Sequence, residues 1–158
     1  MGRRPTKAAD NPFCKARLEA ARYNDRLFSK DGAAELLGIS VSTLSDYELG
    51  ITKVVPPDMV LKMADLYNAP ELRNYYCREL CPLGGDMPVL ELEDLDRISI
   101  KAFAVFRKLN EAKDLLLDIT EDGMIDESEK PQLEKILGTL DELEHVAQSL
   151  KVWVKKNL

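Results

Sequence analysis

Three groups of side chains have types and spacings that could do chemistry. Asp118, Thr120, Asp122, Met124, Asp126 and Glu129 fall at the first, third, fifth, seventh, ninth and twelfth places of one stretch, with Gly123 at the sixth. That is the spacing by which a loop wraps oxygen ligands around a calcium ion. Against it, the third place holds Thr rather than Asp or Asn, and no second loop of this kind exists to pair with. A turn between two helices accounts for the same residues, with Gly123 as its left-handed residue and Asp126 and Glu129 as a capping box. The expectation is therefore a turn with no metal.

Cys77 and Cys81 lie one helical turn apart and Cys14 could approach them, the minimum geometry for a soft metal or a redox pair. Three thiols without a neighbouring histidine make a thin site, and packing as small hydrophobes is the expectation. An odd, sparse cysteine count also suits reduced thiols. His145 stands between Glu144 and Val146 and reads as a surface residue. No phosphate-cradling glycine loop, metal-protease signature or nucleophile elbow occurs, so neither catalysis nor a cofactor is expected.

The elements that position these groups all read as helices. Asn11 caps a first helix with Pro12 inside its start, running toward Asn24-Asp25. Ser29 opens a second helix that Gly38 stops, and Ser40 opens a third, with Ile39 placed to staple onto Leu44. Pro56-Pro57-Asp58 leads into a fourth helix, and Pro70 starts a fifth that ends before Pro82-Leu83-Gly84-Gly85, the expected domain boundary. Beyond it, Leu95, Ile98, Ala102, Val105, Leu109, Ala112, Leu116 and Ile119 alternate spacings of three and four. Ile136, Leu140, Leu143, Ala147, Leu150 and Val154 do the same, so the two segments can zip as an antiparallel hairpin. Leu115, Leu133, Leu137 and Trp153 are left over for a partner.

Composition sets the frame. The chain has 158 residues, 45% of them apolar, with a formal charge of −6. No apolar run is long enough to span a membrane and the N-terminus lacks a secretory pattern, so a cytoplasmic protein with no membrane contact is expected. Residues 1–80 hold 12 basic against 11 acidic side chains, whereas residues 81–158 hold 10 against 17. The acidity belongs to the second half. The expected organisation is a basic arm over 1–11, a helical domain over 12–81, a linker over 82–91, and an acidic hairpin over 92–158 that holds a dimer together.

Lys30 to Leu49 suits two helices crossing through a tight turn, with Ala34 small at the crossing, Gly38 in the turn, and Leu44 and Tyr47 toward the core. On Ala33-Ala34-Glu35-Leu36-Leu37-Gly38-Ile39-Ser40, Thr43-Leu44-Ser45, Tyr47-Glu48-Leu49-Gly50 and the later Leu61, Ala64 and Tyr67, the chain resembles the XRE family of lambda-repressor-like helix-turn-helix regulators over roughly residues 12–80. The resemblance implies an all-α protein: a five-helix lambda-repressor-like DNA-binding domain followed by a long antiparallel helical hairpin.

It also implies double-stranded DNA as partner and a homodimer. The third helix would lie in the major groove, with Val41, Ser42, Ser45 and Asp46 toward base edges. Lys30, Thr43, Thr52 and Lys53 would position phosphates, and Arg3, Arg4 and Lys7 would form an arm. Relatives usually carry Gln, Arg, Asn or Lys among the base readers, and this helix has none, so selectivity is expected to be weak or partly indirect. Glu48 resembles an acidic residue that relatives use for hydrogen bonding inside the domain. An adaptor or antitoxin-like protein whose head no longer reads DNA is the alternative, and the uncharged third helix is its support.

Overall fold

The structure is a computed structural model and describes residues 7–121, 123 and 125–158, for Lys7 the backbone only. Arg3, Arg4 and the Lys7 side chain of the expected arm lie outside it, as do Asp122 and Met124 of the turn. The described residues form helices and turns only, in two compact units that meet between Met87 and Pro88.

In the first unit, Asn11 accepts from the Phe13 N–H at 2.9 Å and starts α1, Pro12–Ala20. The helix stops earlier than the sequence suggests. The Asn24 side chain accepts from the Arg26 N–H instead and opens a short 3-10 turn, Asp25–Leu27, an example of a local side-chain bond competing with helix. Ser29 caps α2, Lys30–Leu37, through the Gly32 N–H at 3.0 Å. Gly38 ends it at φ 72°, a left-handed conformation that side chains with a Cβ resist. Ser40 caps α3, Val41–Leu49, through the Thr43 N–H at 3.0 Å. Then come α4, Pro57–Leu66, and α5, Glu71–Tyr75, which widens into one π turn over Tyr76–Leu80.

These helices share one core in which Phe13, Leu27, Leu44, Met63 and Leu72 are fully buried. Each such side chain contributes roughly 1.5–3 kcal/mol. Phe13 meets Tyr75 edge-on at 5.7 Å, which joins the first helix to the last. Residues 82–85 still belong to this unit. A Cβ on Gly84 would stand 1.5 Å from the Cys77 carbonyl oxygen, so the chain folds back onto the π turn there before leaving at Met87.

The second unit is an antiparallel hairpin of α6, Leu95–Ile119, and α7, Lys130–Asn157. Ile98, Val105 and Val146 form one buried cluster, and Ala112, Ile119 and Ile136 another nearer the turn. The α6 seam follows the expected positions except at its ends, where Leu95 and Leu116 are exposed and Leu115 packs instead.

On α7 the seam is rotated by one residue. Thr139, Val146, Ser149 and Trp153 face α6 where Leu140, Ala147, Leu150 and Val154 were expected. Both seams contain Ile136 and Leu143, so periodicity allows either. The observed one packs Trp153 and brings Lys108 to Glu142 at 2.7 Å and Lys135 to Glu111 at 3.4 Å. Of the four residues expected to be left over, only Leu137 is exposed; Leu115, Leu133 and Trp153 pack in the hairpin.

Candidate nucleic-acid interface

The placement of α3 begins with a cation inside the first unit. Arg17, on the α1 face that also carries Phe13, Cys14 and Ala20, is 3% exposed, and Glu48 of α3 is 0% exposed. Arg17 Nε donates to Glu48 Oε1 at 2.5 Å and Nη2 donates to Oε2 at 2.9 Å, the two-bond fork that guanidinium and carboxylate geometry favours. Its Nη1 also donates to the carbonyls of Leu27 and Phe28, at 2.9 and 3.2 Å, just ahead of α2.

One side chain thus ties together α1, the turn before α2, and α3. Hydrogen bonding to Glu48 raises the Arg17 pKa further, so the guanidinium stays charged. Burial, followed by the nearby Glu48 charge, pushes the Cys14 thiol up, which keeps it protonated and unreactive. Glu48 has the intradomain role the sequence suggested. Its partner Arg17 was not foreseen, although a lone cation on the apolar face of α1 was the visible signal.

With that side of α3 held inward, the other side is the candidate surface. Val41 and Ser42 are exposed in its first turn, and Ser45 and Asp46 are half-buried in its second. Ser45 Oγ accepts from Lys30 Nζ at 3.1 Å, and the same ammonium is 3.7 Å from Glu48 Oε2. Lys30 therefore leans onto α3 rather than standing free in solvent. Thr43 Oγ1 pairs with Ser40 Oγ at 2.8 Å within the helix cap. After α3, Gly50 turns the chain at φ 68°, leaving Thr52 half-buried and Lys53 exposed.

Residues 16–74 match the family model of the helix-turn-helix domain. That stretch is a helix-turn-helix domain. The two crossing helices of the motif are α2 and α3, joined by Gly38 to Ser40. No curated protein and no solved structure matches the chain.

Most of the other candidate groups are engaged in local hydrogen bonds. Asp126 Oδ1 accepts from the Ser128 N–H at 2.7 Å and from its hydroxyl at 2.6 Å, while Glu129 Oε2 accepts from the Asp126 N–H at 2.9 Å. The Ser128 bonds hold the Asp126 carboxyl below its ordinary pKa. Thr120 Oγ1 donates to the Leu116 carbonyl at 2.7 Å. Half of the expected capping box is thus formed, by Glu129, whereas Asp126 serves the turn and α7 starts only at Lys130. Asp118 is exposed at the end of α6.

Among the described residues no three His, Cys, Asp or Glu side chains are grouped to hold a metal ion. Cys14 is buried beside Arg17, and Cys77 and Cys81 are half-buried free thiols on the π turn and just after it. His145 is half-buried, with Nε2 3.0 Å from the Val89 carbonyl oxygen. No helix among the described residues is long and apolar enough to cross a membrane.

Proposed function

We propose that this protein is a cytoplasmic, non-enzymatic transcriptional regulator that binds double-stranded DNA sequence-selectively as a homodimer, with α3 in the major groove. The observation that carries the reading is the outward side of α3. Val41, Ser42, Ser45 and Asp46 are short, so the helix can approach base edges closely, while Arg17 and Glu48 fix its opposite side. Val41 suits a thymine methyl, Ser42 and Ser45 accept or donate, and Asp46 suits the cytosine amino group.

Lys53, Thr52 and the N-terminal arm of Arg3, Arg4 and Lys7 supply phosphate contacts. Lys30 and Thr43 act chiefly by holding Ser45 and the α3 cap, given their bonds inside the domain. The hairpin is the assembly element, since a dimer places two copies of α3 on two half-sites.

Fluorescence anisotropy with duplexes tiled across the region upstream of the protein's own gene tests this. The expected result is one duplex bound much more tightly than the rest, with affinity falling steeply as salt rises. Equal, feeble binding to every duplex at low salt would sink it.

A second reading has its own support. Phe28, Ile51 and Val54 are exposed apolar side chains just before α2 and just after α3. Such residues suit a protein partner better than phosphates, as in an adaptor or antitoxin-like protein. Sequence-selective DNA binding that is lost on charge substitution at Phe28, Ile51 and Val54 counts against that reading.

A further inference from the structure

The two flanks of the hairpin differ in kind. On both helices the cross-helix charges sit one residue before a seam residue: Lys108 before Leu109, Glu111 before Ala112, Lys135 before Ile136 and Glu142 before Leu143. Six exposed apolar side chains sit one residue after: Phe103 after Ala102, Phe106 after Val105, Leu137 after Ile136, Leu140 after Thr139, Leu150 after Ser149 and Val154 after Trp153, while exposed Ile100 and Leu117 of α6 follow no seam residue. Each residue advances a right-handed helix by about 100°, so predecessors and successors fall on opposite sides of a seam. In antiparallel helices the successors of both fall on the same side. One face of the hairpin is therefore ionic and the other apolar.

Within the second unit, the segment leading into α6 covers the ionic face, with the Val89 carbonyl against His145 and Glu93 paired to Lys101. His145 precedes Val146, and Lys101 precedes Ala102. The opposite face is bare: Phe103 is 66% exposed, Phe106 51%, Leu137 51% and Leu140 46%. With Leu150, Val154 and Leu116 it offers on the order of 600 Å² of apolar residues per copy, most of the roughly 800 Å² each partner brings to a stable interface.

We propose that this face pairs with the same face of a second copy, α7 running antiparallel to α7 across a two-fold axis at Ala147. The proposal rests on the dimer reading above and names its surface. Charge singles out a second copy as the occupant. Glu144 and Lys151 lie on the apolar flank, on either side of Ala147, and neither is in an ion pair among the described residues.

An antiparallel crossing at Ala147 brings each Glu144 to within one residue's rise, about 1.5 Å, of the other copy's Lys151, twice. It also sets Leu140 level with Val154, and Leu137 within one residue of Leu158. Ala147 is small enough to let the backbones close. From the Lys108–Glu142 pair, counting five residues along each helix makes Phe103 level with Ala147. The same axis therefore brings the two Phe103 side chains together on α6, giving a four-helix bundle.

Analytical ultracentrifugation of the full chain tests it with Glu144→Lys, Lys151→Glu, the double variant and Leu140→Asp. The expected result is a wild-type dimer, weakened about tenfold or more by either single reversal, since each sets like charges opposite one another twice. The double reversal should restore it to within a few-fold, and Leu140→Asp should abolish it with helix content unchanged by circular dichroism. Ala147→Cys should give a disulfide-linked dimer on mild oxidation that the wild type, with Cys14, Cys77 and Cys81 alone, does not. A dimer indifferent to the single reversals overturns this face while leaving the dimer reading intact. A wild-type monomer at tens of micromolar overturns both.

Discussion

Arg17 and Glu48, thirty-one residues apart, grip one another through two hydrogen bonds, at 2.5 and 2.9 Å, inside the core of the helix-turn-helix domain. The pair matters for position more than for raw stability. Two desolvated charges roughly offset their own attraction, but only this pairing leaves both satisfied with α3 turned outward. Removing one partner leaves the other charged and buried.

Arg17→Ala and Glu48→Ala are each expected to cost about 3–5 kcal/mol. Replacing both by Met should cost clearly less than the sum of the two single losses. Urea unfolding of the four proteins closes the cycle; additive losses would mean that the pair is not the unit that acts.

Tyr67 supplies a pH test. Its hydroxyl is buried without a hydrogen-bond partner among the described residues, and burial raises its pKa above the ordinary value of about 10. A raised folded-state value means that the group's contribution is whole below pH 10 and shrinks as pH climbs from there toward the folded value, because only the unfolded chain ionises readily. Tyr67→Phe is therefore expected to flatten the alkaline loss of stability. At pH 7 it should stabilise by about 1 kcal/mol by removing an unsatisfied hydroxyl. Thermal unfolding at pH 7 to 11 measures both, and an unchanged alkaline slope would show that Tyr67 does not carry it.

Two glycines in the motif should respond differently. A Cβ on Gly32 would stand 2.2 Å from the Arg26 carbonyl oxygen, a backbone atom that cannot swing away, whereas a Cβ on Gly38 meets nothing within 4 Å. Gly38→Ala should cost about 1 kcal/mol, the strain of its left-handed φ. Gly32→Ala should cost about 2 kcal/mol or more, because the start of α2 must shift away from the preceding turn. Equal losses in denaturant melts would contradict the difference.

On DNA, exposed Lys53 and exposed Ser42 should separate phosphate contact from base reading. Lys53→Ala is expected to weaken binding to all duplexes alike and to lower the salt slope by about one. Ser42→Ala should leave the slope alone and change preference at one base pair by roughly 1–3 kcal/mol. Binding curves at four salt concentrations distinguish the two, and a Lys53→Ala variant that alters preference instead would reverse the assignment.

Local chemistry alone determined much of this protein. Asn11, Ser29 and Ser40 accept from their own helices, and Gly38 and Gly50 end helices in left-handed conformations, so α1 to α3 can be read from residue types over a few positions. The length and pairing of α6 and α7 follow from spacings of three and four.

Tertiary structure decided what depends on distant partners. Arg17 is an ordinary helix residue until Glu48 meets it, and Lys30 looks like a free phosphate ligand until Ser45 and Glu48 draw it inward. The α7 seam is the clearest case. Two apolar stripes one residue apart share Ile136 and Leu143, and periodicity cannot choose between them. The packing of Trp153 and the ion pairs from Lys108 and Lys135 select one stripe for the hairpin, leaving Leu140, Leu150 and Val154 of the other facing outward.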